Sequence, residues 1–143
     1  MAINQQITGM RGVYLVAAEL SRLGFIVSPT SRGALGADLL VTDQGCQNAF
    51  SVQVKTNQKI SKYWLLNKKA KEIISPNHIY VFVNIRKAGT EYYIVPSSMV
   101  AKNMYIEKSK TGKKSTWYAI SLEGIQKNKN KWGLFGKSSD DDT

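Results

Sequence analysis

The 143-residue chain carries 20 Lys and Arg against 10 Asp and Glu, a formal net charge of +10, and 43% of its residues are hydrophobic. That length suits one domain with its own core, and the mix of apolar and charged residues excludes intrinsic disorder. No apolar run reaches the ~18–20 residues that span a bilayer, and no basic-then-apolar leader is present, so a cytoplasmic location is expected.

The charge is unevenly placed. Residues 1–136 hold 19 bases and 7 acids, a net of +12, while Asp140, Asp141 and Asp142 fall in the last residues. We expect a single domain over 1–136 and a disordered acidic tail over 137–143. A small domain this basic implies a polyanionic partner, most often nucleic acid. The single cysteine, Cys46, and single histidine, His78, exclude an internal disulfide, a multi-cysteine zinc site and Cys–His protease chemistry. Cys46 reads as a turn residue. His78 opens an apolar strand with no metal-spaced partner and reads as structural or solvent-facing.

In chain order, a polar start leads to a predicted helix over residues 9–23, capped by Thr8, with Val13, Val16, Ala17 and Leu20 on one buried face. Glu19 lies on the shoulder of that stripe. It either reaches a site at the helix–sheet boundary or pairs in solvent with Arg22 or Arg11. Gly24 ends the helix and residues 25–28 form a short strand. The loop over 29–36 carries Thr30, Ser31 and Arg32, suited to hold a phosphate, although it lacks the GxxxxGK[ST] pattern of a nucleotide P-loop.

Two strands follow, over 37–42 and 49–54, joined by a polar turn. Side chains alternate faces, so Asp38 and Leu40 share one face, as do Ser51, Gln53 and Lys55, while Val52 and Val54 turn inward. Folding this hairpin about Gly45–Cys46 makes paired positions sum to 91 and sets Asp38 opposite Gln53. Opposed Cβ atoms lie roughly 4.5–5.5 Å apart. A carboxylate, an amide oxygen and an ammonium then converge at one strand end. Hard cations such as Mg²⁺ take oxygen ligands of this kind, and a neighbouring lysine orients or deprotonates a water or stabilises charge on a phosphate. The plain alternative is a surface hairpin with an ordinary Asp–Lys pair.

Beyond it, Lys59 and Lys62 interleave with Tyr63 and Trp64, a pattern suited to a nucleic-acid groove, although Trp64 reads better as core. A helix over 67–74 carries Lys68, Lys69 and Lys71 on either a DNA-contacting or a merely solvated face. Residues 77–85 form a near-continuous apolar run expected as a central strand buried on both faces. A return strand over 91–95 and a helix from Pro96 to about residue 105 come next. A lysine-rich loop over 107–115, with Lys108, Lys110, Lys113 and Lys114, is expected as a mobile arm. A short strand over 116–120 and a helix over 121–131 follow, and Trp132, Leu134 and Phe135 pack back on the body.

Asp38 followed by Gln53-Val54-Lys55, preceded by a helix and a short strand, resembles the PD-(D/E)xK nuclease superfamily, and more narrowly its small members whose third motif reads QVK. The resemblance runs from Gly9 to Lys55 and more loosely to the end. It implies an α/β fold, a restriction-endonuclease-like mixed sheet of four or five strands flanked by helices. It further implies a Mg²⁺ or Mn²⁺ ion held by Asp38, Gln53 and the carbonyl of Val54, with Lys55 serving hydrolysis and DNA as substrate. Lys59, Lys62, Lys68, Lys69 and Arg32 would hold the backbone, and the resemblance admits a homodimer. The chain departs from the pattern twice. Gln53 replaces the commoner acid, and Val13 follows Gly12 where many members carry a glutamate, leaving Glu19 as the nearest helix carboxylate. A metal-dependent DNA endonuclease and a catalytically inactive nuclease-fold binder both fit, and an RNA-directed module is not separable from a DNA binder.

Overall fold

The computed structural model describes residues 4–31, 36–108 and 115–136. Arg32, Lys110, Lys113, Lys114 and the acidic tail lie outside the described residues.

The chain opens with helix α1 (Gln5–Arg22). It starts a turn earlier than the Thr8 cap predicts. Asn4 takes that role, its side chain accepting the Ile7 amide hydrogen at 2.9 Å, and the Thr8 hydroxyl instead donates to Gln58 Oε1 at 3.1 Å. Asparagine is the stronger cap, so the helix begins where the first good cap occurs. Gly24 closes the helix at φ +93°, a conformation cheap only for glycine.

Strands β1 (Ile26–Pro29), β2 (Leu39–Thr42), β3 (Ala49–Asn57), β5 (His78–Arg86) and β6 (Gly89–Pro96) form one five-stranded sheet in the order β1-β2-β3-β5-β6. Every neighbour pairs antiparallel except β3 with β5, which run parallel. Parallel neighbours need a long crossover. Here it holds strand β4 (Tyr63–Leu66) and a 3-10 turn (Lys68–Lys71). Only Ala70 of that turn is buried, and the helix expected over 67–74 is a single 3-10 turn.

Helix α2 (Ser97–Asn103) ends sooner than expected, because Tyr105–Lys108 forms strand β7 instead of the start of a loop. It pairs with β8 (Thr116–Ser121), and with β4 these make a second, three-stranded sheet in the order β4-β8-β7. The helix expected over 121–131 is a 3-10 segment, Glu123–Asn128, followed by another at Trp132–Phe135.

One face of the large sheet packs against α1. Val16 and Leu20 of the helix meet Leu39, Val41, Val52, Val54, Val81 and Val83, joined by Phe135 from the end of the described chain. The second sheet covers part of the opposite face, where Trp64 and Ile120 pack on Tyr80, Phe82, Tyr93 and Val95. Strand β5 is therefore buried on both faces, as its near-continuous apolar run predicts. Among the described residues no helix is long and apolar enough to cross a membrane.

Candidate active site

The β2–β3 hairpin pairs Leu39 with Val52, Leu40 with Ser51, Val41 with Phe50 and Thr42 with Ala49. Each pair sums to 91, the register read from the turn. The turn itself fixes it: Asp43 Oδ1 accepts the amides of Gln47 at 2.7 Å and Asn48 at 3.2 Å, and Cys46 adopts φ +55°. Those amides hold the Asp43 carboxyl below its usual range, the Asn48 bond contributing most. A one-residue slip would expose Leu39, Val41, Val52 and Val54, all now buried.

Asp38 stands one step past the last regular pair. Its amide turns back onto the Val52 carbonyl at 2.7 Å, and its own carbonyl accepts the Thr30 amide at 3.0 Å. The Thr30 hydroxyl donates to the Ala37 carbonyl at 2.7 Å, closing the loop in front of the strand. The Asp38 Oδ2 atom accepts the Val54 amide hydrogen at 2.8 Å, continuing with a carboxylate the ladder that the backbone of β2 no longer supplies. In an antiparallel pair a residue sends its N–H and its C=O to the same neighbour. The Val54 carbonyl therefore faces the same open edge as its amide, beside Asp38.

Gln53 and Lys55 flank Val54 on the face of β3 opposite α1 and are half-buried. Burial pulls the Lys55 ammonium below the ordinary lysine range, and the nearby negative charge of Asp38 offsets part of that shift. A lysine made less basic by its surroundings, next to a fixed carboxylate, is the arrangement expected of a proton-handling group.

These residues line a cleft of about 1240 Å³. One wall is the first half of α1, from Gln5 and Gln6 through Gly9 to Val13 and Tyr14. The floor is Asp38, Gln53, Val54, Lys55 and Asn57, and the far wall is Ser61, Tyr63 and Leu65 of the β4 segment. The approach of α1 to β3 is close enough that a Cβ on Gly12 would overlap the Thr56 hydroxyl. Only glycine lets the helix sit this low over the strand.

The other sequence candidates separate into groups. Lys59 lines the cleft and Lys62 is exposed beside it, whereas Lys68 and Lys69 are exposed on the 3-10 turn and do not line it. Glu19 is held by Arg22 in an exposed ion pair at 3.0 Å, and its charge helps raise the Tyr92 hydroxyl, for which burial is the larger cause. It belongs to the β6 side of the helix and is absent from the cleft lining, where Val13 stands instead. Gln5 and Gln6 were missed as wall residues because the sequence reading began the helix four residues late, and Tyr14 because it lies off the stripe read as the buried face. Trp64 is core, 1% exposed, with its indole N–H donating to the Val83 carbonyl at 3.1 Å.

His78 resolves to the structural reading. It is 3% exposed, its Nδ1 lies 2.6 Å from Ser51 Oγ, and its Nε2 is buried without a partner. Burial holds it below the usual histidine range, only partly opposed by the Ser51 bond.

The atoms that would hold a metal here, the Asp38 carboxylate, the Gln53 amide oxygen and the Val54 carbonyl, are all oxygen. That chemistry fits a hard divalent cation keeping most of its water. It contains one carboxylate, and no cluster of three or more His, Cys, Asp or Glu occurs among the described residues.

No protein-family model and no curated protein matches the chain. Solved structures do. The Holliday junction resolvase Hjc from Archaeoglobus fulgidus, an archaeal hyperthermophile, aligns with a TM-score of 0.59 at 15% identity, covering 90% of this chain and 96% of its own. The bacterial homing endonuclease I-Ssp6803I aligns with a TM-score of 0.62 at 14% identity, covering 99% and 98% respectively. At such identities the likeness is one of backbone architecture. The chain has the restriction-endonuclease-like fold, a mixed sheet flanked by helices.

Proposed function

We propose that this protein is a metal-dependent DNA endonuclease that hydrolyses a phosphodiester bond in the cleft between α1 and β4. The observation that carries this reading is the Asp38 carboxylate pinned to the Val54 amide at 2.8 Å, between Gln53 and a half-buried Lys55 of lowered basicity. Two solved structures of the same fold are a junction resolvase and a homing endonuclease, which supports nuclease chemistry and a DNA substrate.

In this mechanism Asp38, the Gln53 side-chain oxygen and the Val54 carbonyl would hold a Mg²⁺ or Mn²⁺ ion. When bound, the ion supplies Lewis-acid activation of water and neutralises phosphate charge. Lys55 holds the attacking water and relays its proton, or donates to the phosphate oxygen on which charge develops. Thr30 and its loop fix Asp38 from behind. Lys59 and Lys62, with the overall positive charge, hold the phosphate backbone without reading sequence.

A second reading, a nuclease-fold binder without catalysis, is favoured by the single carboxylate and by Val13 in the cleft wall. Cleavage of plasmid, linear duplex, single-stranded and branched DNA, with Mg²⁺, Mn²⁺ or EDTA, separates the two. The endonuclease reading expects metal-dependent cleavage that Asp38→Ala abolishes while binding persists. Binding without cleavage under every condition would establish the binder instead.

A further inference from the structure

Beside the cleft, its wall residue Tyr63 meets Trp117 in an aromatic pair that the hydrolytic site does not use. Tyr63 on β4 and Trp117 on β8 are 43% and 41% exposed, and their rings meet edge-to-face with centroids 5.3 Å apart. Such rings normally go to a core. Here the main core of this sheet is on its other face, around Trp64 and Ile120, and neither ring belongs to it.

Its position is fixed relative to the site. The Tyr63 carbonyl accepts hydrogen bonds from Asn57 Nδ2 at 2.8 Å and Ser61 Oγ at 2.9 Å. Asn57 is two residues along β3 from Lys55, a rise of about 7 Å. The platform is thereby tied to the strand bearing the proposed catalytic lysine, and Tyr63 itself lines the cleft.

Lys59 and Lys62 lie exposed on the approach to Tyr63 and attract a phosphate there, while Trp117 pairs across the strands with Glu107, whose neighbour Lys108 lies opposite Thr116. The exposed ring faces of Tyr63 and Trp117 suit an uncharged, flat group beside that phosphate. We propose that Tyr63 and Trp117 form a stacking platform for an unpaired nucleobase, so that the preferred ligand is DNA with bases free of the duplex beside the bond held in the cleft. This rests on the nucleic-acid reading of the cleft and narrows it to a substrate form.

The test compares binding of two end-labelled oligonucleotides in EDTA, so that nothing is cut: a fully paired duplex, and the same duplex with a short unpaired segment. Wild type is set against Trp117→Leu, Tyr63→Leu and Trp117→Phe. Stacking on an aromatic side chain implies that either leucine variant loses about 5- to 150-fold in affinity for the unpaired-segment DNA. Trp117→Phe restores most of it. The Trp117 ring does not line the cleft, so in Trp117→Leu paired duplex binds unchanged and the salt dependence of log Kd keeps its slope, because no phosphate contact is altered. Both positions are exposed, and thermal denaturation checks that the leucine variants remain folded. Equal losses on both DNAs, or none on either while wild type binds both, would overturn the platform and leave the cleft reading standing. Failure of wild type to bind either DNA would overturn both. A wild-type dimer in sedimentation that becomes monomeric in Trp117→Leu would assign the pair to a contact between copies and also overturn the proposal.

Discussion

The Asp38 carboxylate has two separable duties, and replacing it in two ways tells them apart. It accepts the Val54 amide hydrogen at 2.8 Å and it places a negative charge near Lys55. Asp38→Asn keeps an acceptor oxygen and removes the charge; Asp38→Ala removes both. A hydrogen bond to a charged group contributes about 1.5–3 kcal/mol, and a neutral one about 0.5–1.5 kcal/mol. Val54 faces an open cleft, so water replaces part of what alanine deletes, and we expect Asp38→Ala to cost about 1 kcal/mol and Asp38→Asn less. Urea denaturation resolves that difference, since a shift in midpoint at constant slope reports stability alone. Activity should order the variants differently: both abolish cleavage, because neither supplies the anionic oxygen a hard cation needs. Lys55 adds an independent readout. Losing the charge that raises its basicity leaves burial unopposed, so its ammonium should titrate at lower pH in both variants, measured by NMR of the lysine side chain. An Asp38→Asn protein that still cleaves, or a Lys55 titration that stays put, would refute the paired roles assigned here.

Three further outcomes follow from single contacts. Lys55→Arg keeps a cation that does not deprotonate near neutrality, so a cleavage rate that rises with pH through a midpoint below the ordinary lysine value of about 10.5 should lose that limb; identical pH–rate profiles would remove Lys55 from proton transfer. Gly12→Ala drives a methyl into the Thr56 hydroxyl and should cost about 1–3 kcal/mol, partly recovered by adding Thr56→Ala, whose lost hydroxyl has no hydrogen-bond partner. A double-mutant cycle in urea with no coupling between these positions would contradict the contact. His78 has a folded-state pKa lowered from 6.5, so the unfolded chain takes up its proton first as the solution is acidified. Its contribution to stability is complete above pH ~6.5 and declines as pH falls from there toward the folded value, and His78→Asn should flatten that slope in urea midpoints measured across the range.

What was legible beforehand is what local chemistry fixes. The β2–β3 register could be read because a polar turn sits between two runs whose alternation agrees on one buried face. The burial of β5 could be read because Ile79 to Val83 form an uninterrupted run of aliphatic and aromatic side chains. Strand β7 gave no such signal: Tyr105, Ile106, Glu107 and Lys108 are all exposed, so nothing in their pattern marks a face. Its pairing with β8 is settled by that partner, across residues 109–114. The same logic explains Trp117. Its neighbours Tyr118 and Ile120 could have indicated an inward face at even-numbered positions, which turns Trp117 outward, but without the second sheet there was no reason to ask what an outward tryptophan was for. The start of α1 was misjudged because Asn4 was passed over as a cap in favour of Thr8.

The position of the cleft follows from a change of pattern between two adjacent strands. On the face away from α1, β5 and β6 present Tyr80, Phe82, Tyr93 and Val95, whereas β3 presents Ser51, Gln53, Lys55 and Asn57. Covering the first set removes apolar area from water at about 25 cal/mol per Å². Covering the second would strand an amide, an ammonium and a second amide without water or sufficient partners, at about 1–3 kcal/mol for each unsatisfied group. The second sheet accordingly stops over β5, and the open floor of the cleft begins at β3. The opposite face of β3 shows no such change, because Val52 and Val54 continue the apolar layer under α1. One strand thus carries a core face and a wet face, and the helix seated on Gly12 and the sheet ending at Tyr63 supply the two walls. The acid-poor site and the exposed aromatic rim are then consequences of one boundary, the edge at which burying β3 ceases to be favourable.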